Sequence, residues 1–173
     1  MQVAPTKFDG LYVITSDVYT DHRGRFCETY QEDRYRKAGI LTHFAQDNIS
    51  YSSVNVLRGL HGQTGQSKLV QVVLGEVFDV AVDIRPNSKT FKQYFSIILS
   101  EKTAQQVLIP EGFLHGFLIL SDHALLHYKC SRAYNPQEEI GARYDDPAFA
   151  IKWPMTNNPI LSDKDKIHPL FER

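Results

Sequence analysis

The middle of the chain is a series of short runs of β-branched and aromatic residues, separated by turn signals about every eight to twelve residues. The runs 68–73 and 77–83 flank Gly75, a spacing that predicts a hairpin. Further strands are predicted at 95–99, 106–109, 117–120 and 124–128. Only the segment 31–39 and the tail from residue 162 onward look helical. Short strands at this spacing predict an all-β sandwich or barrel with a few short helices.

Length, charge and cysteine usage limit the classes of protein to consider. A chain of 173 residues suits one domain with a real core, and we expect residues 1–173 to form a single domain. Its 19 basic and 20 acidic side chains give a net charge of −1, so we expect no nucleic acid and no membrane as partner. Cys27 and Cys130 lack a CxxC spacing, which argues against a disulfide framework or a zinc site. With no signal-peptide core and no bilayer-length apolar run, the sequence predicts a cytoplasmic protein.

Polar groups concentrate in four short stretches, which are 21–28, 46–68, 110–117 and 161–165. The third contains P-x-G-x-x-H, ending at His115, and resembles the second sequence motif of cupins, in which a histidine points into the barrel. The first cupin motif offers H-x-H and then a glutamate, whereas this chain has His61-Gly62-Gln63. Two histidines without a third ligand make a poor site for a first-row metal. We therefore expect a cupin-like barrel with no metal and no other cofactor.

A metal-free pocket of histidine, lysine, tyrosine and arginine can still support acid–base chemistry. Histidine titrates near neutrality, so a residue such as His61 can accept a proton at working pH. Removing a proton beside a ketone gives an enolate, whose oxygen needs a fixed cation or hydrogen-bond donor. Lys68 is the candidate, because it begins a strand shortly after His61. Inverting a stereocentre also needs a weaker acid on the opposite face, and a tyrosine suits that role.

Five motifs, in order, resemble those of the dTDP-4-dehydrorhamnose 3,5-epimerases from about Phe8 to Pro169. They are Arg58-Gly59-Leu60-His61 with Lys68-Leu69-Val70, Asp79-Val80-Ala81-Val82-Asp83, the segment 109–117, Tyr128-Lys129-Cys130 and Leu161-Ser162-Asp163-Lys164-Asp165. The resemblance implies a cupin-like double-stranded β-helix, which is a jelly-roll barrel. It also implies an isomerase that epimerises C3 and C5 of a dTDP-4-keto-6-deoxyhexose through an enolate. Such an enzyme serves dTDP-rhamnose and lipopolysaccharide biosynthesis.

The resemblance assigns the catalytic roles to four residues of this chain. His61, in the RGLH motif, is implied to be the base, and Asp165 is implied to orient it. Tyr128 is implied to be the general acid. Lys68 is implied to lie beside the keto oxygen of the substrate.

The resemblance also implies how the nucleotide sugar is held. His115 is implied to face the sugar, with Asp79 supporting it. Nucleotide and sugar contacts are implied at Arg23, Phe26, Glu28, Gln46, Asn48, Arg58, Tyr134, Glu139 and Lys164. Some N-terminal contacts in the family reach the substrate of the neighbouring subunit, which implies a homodimer.

Structural roles compete with these assignments when the residues are taken alone. His61 and His115 could be core histidines, and Tyr128 a half-buried strand tyrosine. Asp165 could cap a short C-terminal helix. The other histidines are expected to be surface or structural residues; they are His22, His43, His123, His127 and His168.

The chain departs from the family pattern beside the proposed base. The family usually has an aromatic residue after the RGLH histidine, whereas this chain has Gly62. The loop 62–67 is also shorter and lacks the usual Pro-Pro. The alternatives are therefore an epimerase of C3 alone or C5 alone, or one that acts on a GDP- or UDP-linked keto sugar. A metal-dependent cupin dioxygenase or isomerase and a non-catalytic sugar-nucleotide binder are further alternatives.

Overall fold

The computed structural model describes residues 1–171, which form thirteen β-strands and two short α-helices. The strands are β1 (Gln2–Pro5), β2 (Tyr12–Thr15), β3 (Val18–Asp21), β4 (Gly24–Cys27), β5 (Gln46–Ser53), β6 (Leu57–Gln63), β7 (Lys68–Leu74), β8 (Glu76–Asp83), β9 (Tyr94–Ser100), β10 (Gln105–Ile109), β11 (Phe113–Ile119), β12 (His123–Cys130) and β13 (Glu139–Gly141). The helices are α1 (Glu32–Lys37) and α2 (Asp163–Lys166), and a 3₁₀ turn spans Pro136–Glu138. No helix in the described part of the chain is long and apolar enough to cross a membrane.

Two antiparallel sheets form the body of the molecule. The first contains six strands in the order β1-β2-β10-β7-β12-β5, and the second contains five in the order β13-β6-β11-β8-β9. The β3–β4 hairpin forms a separate two-stranded ribbon. Strands that are distant in sequence, such as β6 and β11, are neighbours in space, which is typical of a jelly roll. The predicted all-β, cupin-like jelly roll with a few short helices is confirmed.

The predicted hairpin around Gly75 is wrong. β7 pairs with β10 and β12 in one sheet, whereas β8 pairs with β11 and β9 in the other. Gly75, at φ +79°, lies where the chain crosses between the sheets, and an added Cβ would collide with the backbone of His123. Two strands that flank a glycine turn can pair with each other or can lie in different sheets. The local sequence pattern is the same in both cases, so it could not distinguish these two arrangements.

Side-chain alternation determines which residues face the interior. In β11, Phe113, Phe117 and Ile119 belong to the core between the sheets, and His115 shares their parity. Leu114 points the other way, into a second cluster with residues of the C-terminal segment. Because neighbouring residues in a strand point to opposite faces, the sequence of β11 places His115 on the inner face. The same rule places alternate residues of β6, β7 and β12 on the inner face.

Candidate active site

A cavity of about 630 Å³ opens between the two sheets, a size that suits a small-molecule site. Eleven of the residues named from the sequence line it: Gln46, Asn48, Arg58, His61, Lys68, His115, Tyr128, Tyr134, Glu139, Lys164 and Asp165. These residues come from both sheets and from α2. The fold therefore brings together three of the four polar stretches, 46–68, 110–117 and 161–165, and adds residues from the segment 128–139.

His61 and Asp165 form a hydrogen-bonded pair at the edge of the cavity. His61 lies on β6, and its Nε2 is 2.6 Å from Oδ1 of Asp165 on α2. The Ser162 hydroxyl caps α2 by accepting a hydrogen bond from the backbone N–H of Asp165, which fixes the carboxylate at the helix start. Since a carboxylate accepts hydrogen bonds, Nε2 of a neutral His61 carries the hydrogen and Nδ1 keeps a lone pair. The pair can therefore act as an oriented base.

The environment of Asp165 favours its ionised form. Its side chain is only 4% exposed, whereas that of His61 is 32% exposed. Burial by itself would raise the pKa of Asp165, but the hydrogen bond and charge of His61 and the bond to Ser162 outweigh burial and lower it. A carboxylate held anionic beside His61 stabilises the imidazolium that forms when the ring accepts a proton.

A second histidine–aspartate pair lies next to the first. His115 on β11 is the register partner of His61 on β6. Nε2 of His115 is 2.8 Å from Oδ2 of Asp79 on β8, and both side chains are buried. The predicted support of His115 by Asp79 therefore exists as a contact. The pair fixes the ring of His115 on the cavity wall.

The six-stranded sheet supplies the opposite wall with Lys68, Tyr128 and Cys130. Burial lowers the pKa of Lys68, although nearby acidic groups oppose this shift. Nζ of Lys68 is 3.5 Å from the backbone oxygen of His61. Burial raises the pKa of Tyr128, so its hydroxyl stays protonated. This wall thus places the amine of Lys68 and the neutral hydroxyl of Tyr128 in the same cavity as His61.

A polar network forms the rim of the cavity. The hydroxyl of Tyr134 donates to Oε2 of Glu139 at 2.6 Å, and Lys164 contacts Oε1 of the same carboxylate at 2.6 Å. Although burial opposes the shift, Lys164 and Tyr134 lower the pKa of Glu139. The side-chain oxygen of Gln46 accepts from the backbone N–H of Tyr134, and its amide donates to Asn48. The rim is therefore connected by hydrogen bonds, and Lys164 and Arg58 are basic groups that can pair with phosphate.

Three residues named from the sequence lie away from this cavity. Arg23 and Phe26 are on the β3–β4 hairpin, where Arg23 pairs with Asp21 and Phe26 is 68% exposed. Glu28 follows the hairpin and lies 3.3 Å from Arg34. Within one chain, the structure does not bring these three residues to the site.

Several cavity residues were not identified from the sequence. Cys130 follows Tyr128 by two positions on β12, and Gln63 follows His61 by two on β6, so strand alternation could have identified both. His168, predicted to be a surface or structural residue, is not part of the cavity lining, and its ring lies 5.4 Å from that of His61. Within residues 1–171, His61, Asp165 and His168 are the one group of three side chains close enough to hold a metal ion.

Gly62 lies on the cavity wall where β6 approaches β11. A Cβ at this position would be 2.7 Å from the backbone oxygen of Phe113. An aromatic side chain here would therefore require the two strands to separate. The departure from the family pattern is linked to a close approach of backbones beside His61.

Comparison with known proteins identifies relatives of the whole chain. Residues 5–173 match the sequence model of a family described as dTDP-4-dehydrorhamnose 3,5-epimerase. The enzyme of that name from Methanothermobacter thermautotrophicus is 46% identical over 165 residues, which cover 93% of this chain and 89% of the relative.

Solved structures give the same result. A dTDP-6-deoxy-D-glucose-3,5-epimerase from Legionella pneumophila, in complex with dTDP-4-keto-L-rhamnose, has a TM-score of 0.94 and 46% identity, covering 98% of this chain and 92% of its own. A 3′-monoepimerase from Streptomyces bikiniensis, in complex with dTDP-quinovose, has a TM-score of 0.90 and 33% identity. The match covers 96% of this chain and 86% of that structure's chain.

Proposed function

The chain belongs to the dTDP-4-dehydrorhamnose 3,5-epimerase family, a family of isomerases, and we propose that it inverts C3 and C5 of a dTDP-4-keto-6-deoxyhexose. The observation that carries the proposal is the His61–Asp165 pair facing Lys68 and Tyr128 across one cavity. The proposed reaction uses these four side chains and needs no metal or redox cofactor.

His61 is the base of the proposed reaction. Its Nδ1 takes the proton from the carbon beside the ketone, and the electrons of that C–H bond move to the keto oxygen. Asp165 stabilises the resulting imidazolium through its 2.6 Å hydrogen bond. The buried ammonium group of Lys68 stabilises the enolate oxygen, where charge develops in the transition state.

Tyr128 is the acid that returns a proton to the opposite face of the sugar. His61 belongs to the five-stranded sheet and Tyr128 to the six-stranded sheet, so they lie on opposite walls. A substrate between the walls has one face toward each residue. The raised pKa of Tyr128, caused by burial, keeps its proton available for transfer to the strongly basic enolate carbon.

The nucleotide and its diphosphate bind along the polar rim. Arg58 and Lys164 supply positive charge, and Gln46, Asn48, Tyr134 and Glu139 supply further hydrogen-bonding groups. His115, held by Asp79, contacts the sugar. These roles complete the site that the family resemblance implied.

We further propose a homodimer in which Arg23, Phe26 and Glu28 contact the nucleotide sugar in the neighbouring subunit. The exposure of the neighbouring aromatic rings of Tyr19 and Phe26 on the β3–β4 hairpin supports this proposal, because exposed apolar patches mark interaction surfaces. We also propose that residues 1–173 form one domain that works in the cytoplasm and serves lipopolysaccharide biosynthesis.

Solvent deuterium exchange tests the proposed function. With a dTDP-4-keto-6-deoxyhexose in D₂O, we expect deuterium at both carbons beside the ketone. His61→Ala should abolish exchange, while His43→Ala, a change at an exposed histidine, should leave it intact. Tyr128→Phe should impair inversion more than the initial abstraction. No exchange by a folded, wild-type protein would reject the assignment.

A narrower epimerase is the second candidate, favoured by Gly62 and the short loop beside it. A 3′-monoepimerase with the same fold supports the possibility of inversion at one carbon. Mass spectrometry that counts deuterium atoms in products from dTDP-, UDP- and GDP-linked keto sugars separates the two candidates. One deuterium per product, rather than two, would favour the narrower enzyme.

A further inference from the structure

His168 occupies an unusual position behind the proposed base. It follows α2, and its ring fills the space beside Gly141, where an added Cβ would collide with it. Gly141 is in turn the register partner of His61. Nε2 of His168 is buried and has no hydrogen-bond partner among the described residues. A buried imidazole nitrogen without a partner is costly, and this one is 3.6 Å from Oδ1 of Asp165.

Three ligand atoms therefore converge at this point. His61, Asp165 and His168 each offer one nitrogen or oxygen, and these atoms all lie within 4.8 Å of one another. In a tetrahedral zinc site with bonds of about 2.0–2.1 Å, ligand atoms are roughly 3.3 Å apart. The 3.6 Å contact is close to this separation, and the 2.6 Å hydrogen bond would have to open by well under 1 Å.

We propose that His61, Asp165 and His168 form an inhibitory site for Zn²⁺. Two imidazoles and a carboxylate suit zinc, and three protein ligands leave a fourth position for water. Magnesium is a poor candidate, because it prefers six oxygen ligands in an octahedral arrangement. The burial of Asp165 and the close packing of His168 against Gly141 hold two of the three ligands in place.

Zinc at this site would remove the base by binding Nε2 of His61, the ring nitrogen that faces Asp165. This step rests on the proposed role of His61. In the neutral ring, the proton on Nε2 moves to Nδ1, and zinc takes the lone pair on Nε2 in place of the hydrogen bond to Asp165. Nδ1 then carries a proton and cannot accept another. His61 and Asp165 line the cavity, but none of the three ligands is among the residues proposed to hold the nucleotide, so nucleotide binding should survive while proton abstraction stops.

Zinc titration of the full chain tests the site. Chelator-treated protein is titrated with ZnCl₂ by calorimetry, while deuterium exchange and dTDP binding are measured on the same samples. We expect one zinc per chain, at least a tenfold loss of exchange at saturation, unchanged dTDP affinity and recovery on adding EDTA. MgCl₂ at the same concentration should have no effect.

His168→Gln and His168→Asn provide the matched variants. Both should keep the exchange activity of the zinc-free protein and weaken zinc binding at least tenfold. His127→Gln is the control, because His127 is a partly buried histidine that lies 3.8 Å from a different carboxylate, that of Asp47. It should bind zinc and lose activity as the wild type does.

Three results would overturn the proposal. They are the absence of stoichiometric zinc binding, equal zinc inhibition in both His168 variants, and loss of dTDP binding with zinc. If the zinc-free wild type showed no exchange, the proposed function would fail instead. Zinc stoichiometry and its dependence on His168 would still decide whether the metal site exists.

Discussion

Replacing Asp165 by asparagine tests the oriented base most directly. The substitution keeps the shape of the side chain but removes the charge that lies 2.6 Å from Nε2 of His61. A hydrogen bond to a charged group contributes about 1.5–3 kcal/mol. At about 1.4 kcal/mol per factor of ten, its loss from the transition state slows abstraction about 10- to 150-fold.

The asparagine has a second effect on the ring. Its amide can donate to Nε2, which places the hydrogen of His61 on Nδ1 and leaves no lone pair for the substrate. In serine proteases, the corresponding change of a triad aspartate lowers kcat about 10⁴-fold for this reason. For Asp165→Asn we therefore expect kcat to fall about 10²- to 10⁴-fold, with a small change in KM.

The assay is deuterium incorporation at both carbons, with thermal unfolding to verify the fold. Asp163→Asn is the matched control, because Asp163 is on the same helix but is fully exposed and pairs with Lys166. It should retain wild-type activity. If folded Asp165→Asn protein kept more than a tenth of wild-type kcat, the reasoning that the Asp165 carboxylate orients His61 and stabilises its imidazolium form would be refuted.

Three further predictions concern pH and packing. Because burial lowers the pKa of Lys68, kcat should decline on the alkaline side below the ordinary lysine value, and Lys68→Arg should shift that decline upward. Burial by itself would raise the pKa of Asp83, but hydrogen bonding by Arg85 helps to lower this pKa to about 2. The contribution of Asp83 to the free energy of unfolding should therefore fall by about 2 kcal/mol as the pH drops from about 4 to 2, and Asp83→Asn should lose less stability than the wild type by about that amount. Gly62→Ala should destabilise the fold by about 1–3 kcal/mol in urea, because its Cβ would meet the backbone oxygen of Phe113.

Each of these has a clear contrary outcome. An alkaline decline that is the same in Lys68→Arg would mean that another group loses its proton. Equal acid sensitivity in wild type and Asp83→Asn would show that Asp83 is not ionised preferentially in the folded state. An unchanged urea midpoint in Gly62→Ala would show that β6 and β11 can separate without cost.

The sequence predicted the interior faces of the strands better than their partners. Hydrophobic alternation is a local property, so the inner position of His115 follows from Phe113 and Phe117 on the same strand. Strand pairing, in contrast, depends on which distant strands lie beside the chain after it turns. The glycine turn after β7 therefore looked like a hairpin, although β7 and β8 lie in different sheets.

The residues of the candidate site could likewise be predicted only where a local sequence pattern identifies them. Tyr128 was identified from a short motif, and the same alternation would have identified Cys130 two positions later. His168 carries no comparable signal, because its place beside His61 depends on the space left by Gly141 on a separate strand. Likewise, the proposed contacts of Arg23 depend on a second subunit, so no local pattern encodes them.

The division of the site between two sheets has a consequence for specificity. The proposed base and its aspartate lie on the five-stranded sheet and α2, whereas Lys68 and Tyr128 lie on the six-stranded sheet. Changes on the second wall can alter where a proton is returned without disturbing the His61–Asp165 pair. Gly62 is on the first wall, directly after His61, so it affects the approach of the sugar to the base. The number of carbons inverted should therefore respond to substitutions of both Tyr128 and Gly62, and the accepted sugar to Gly62 substitutions.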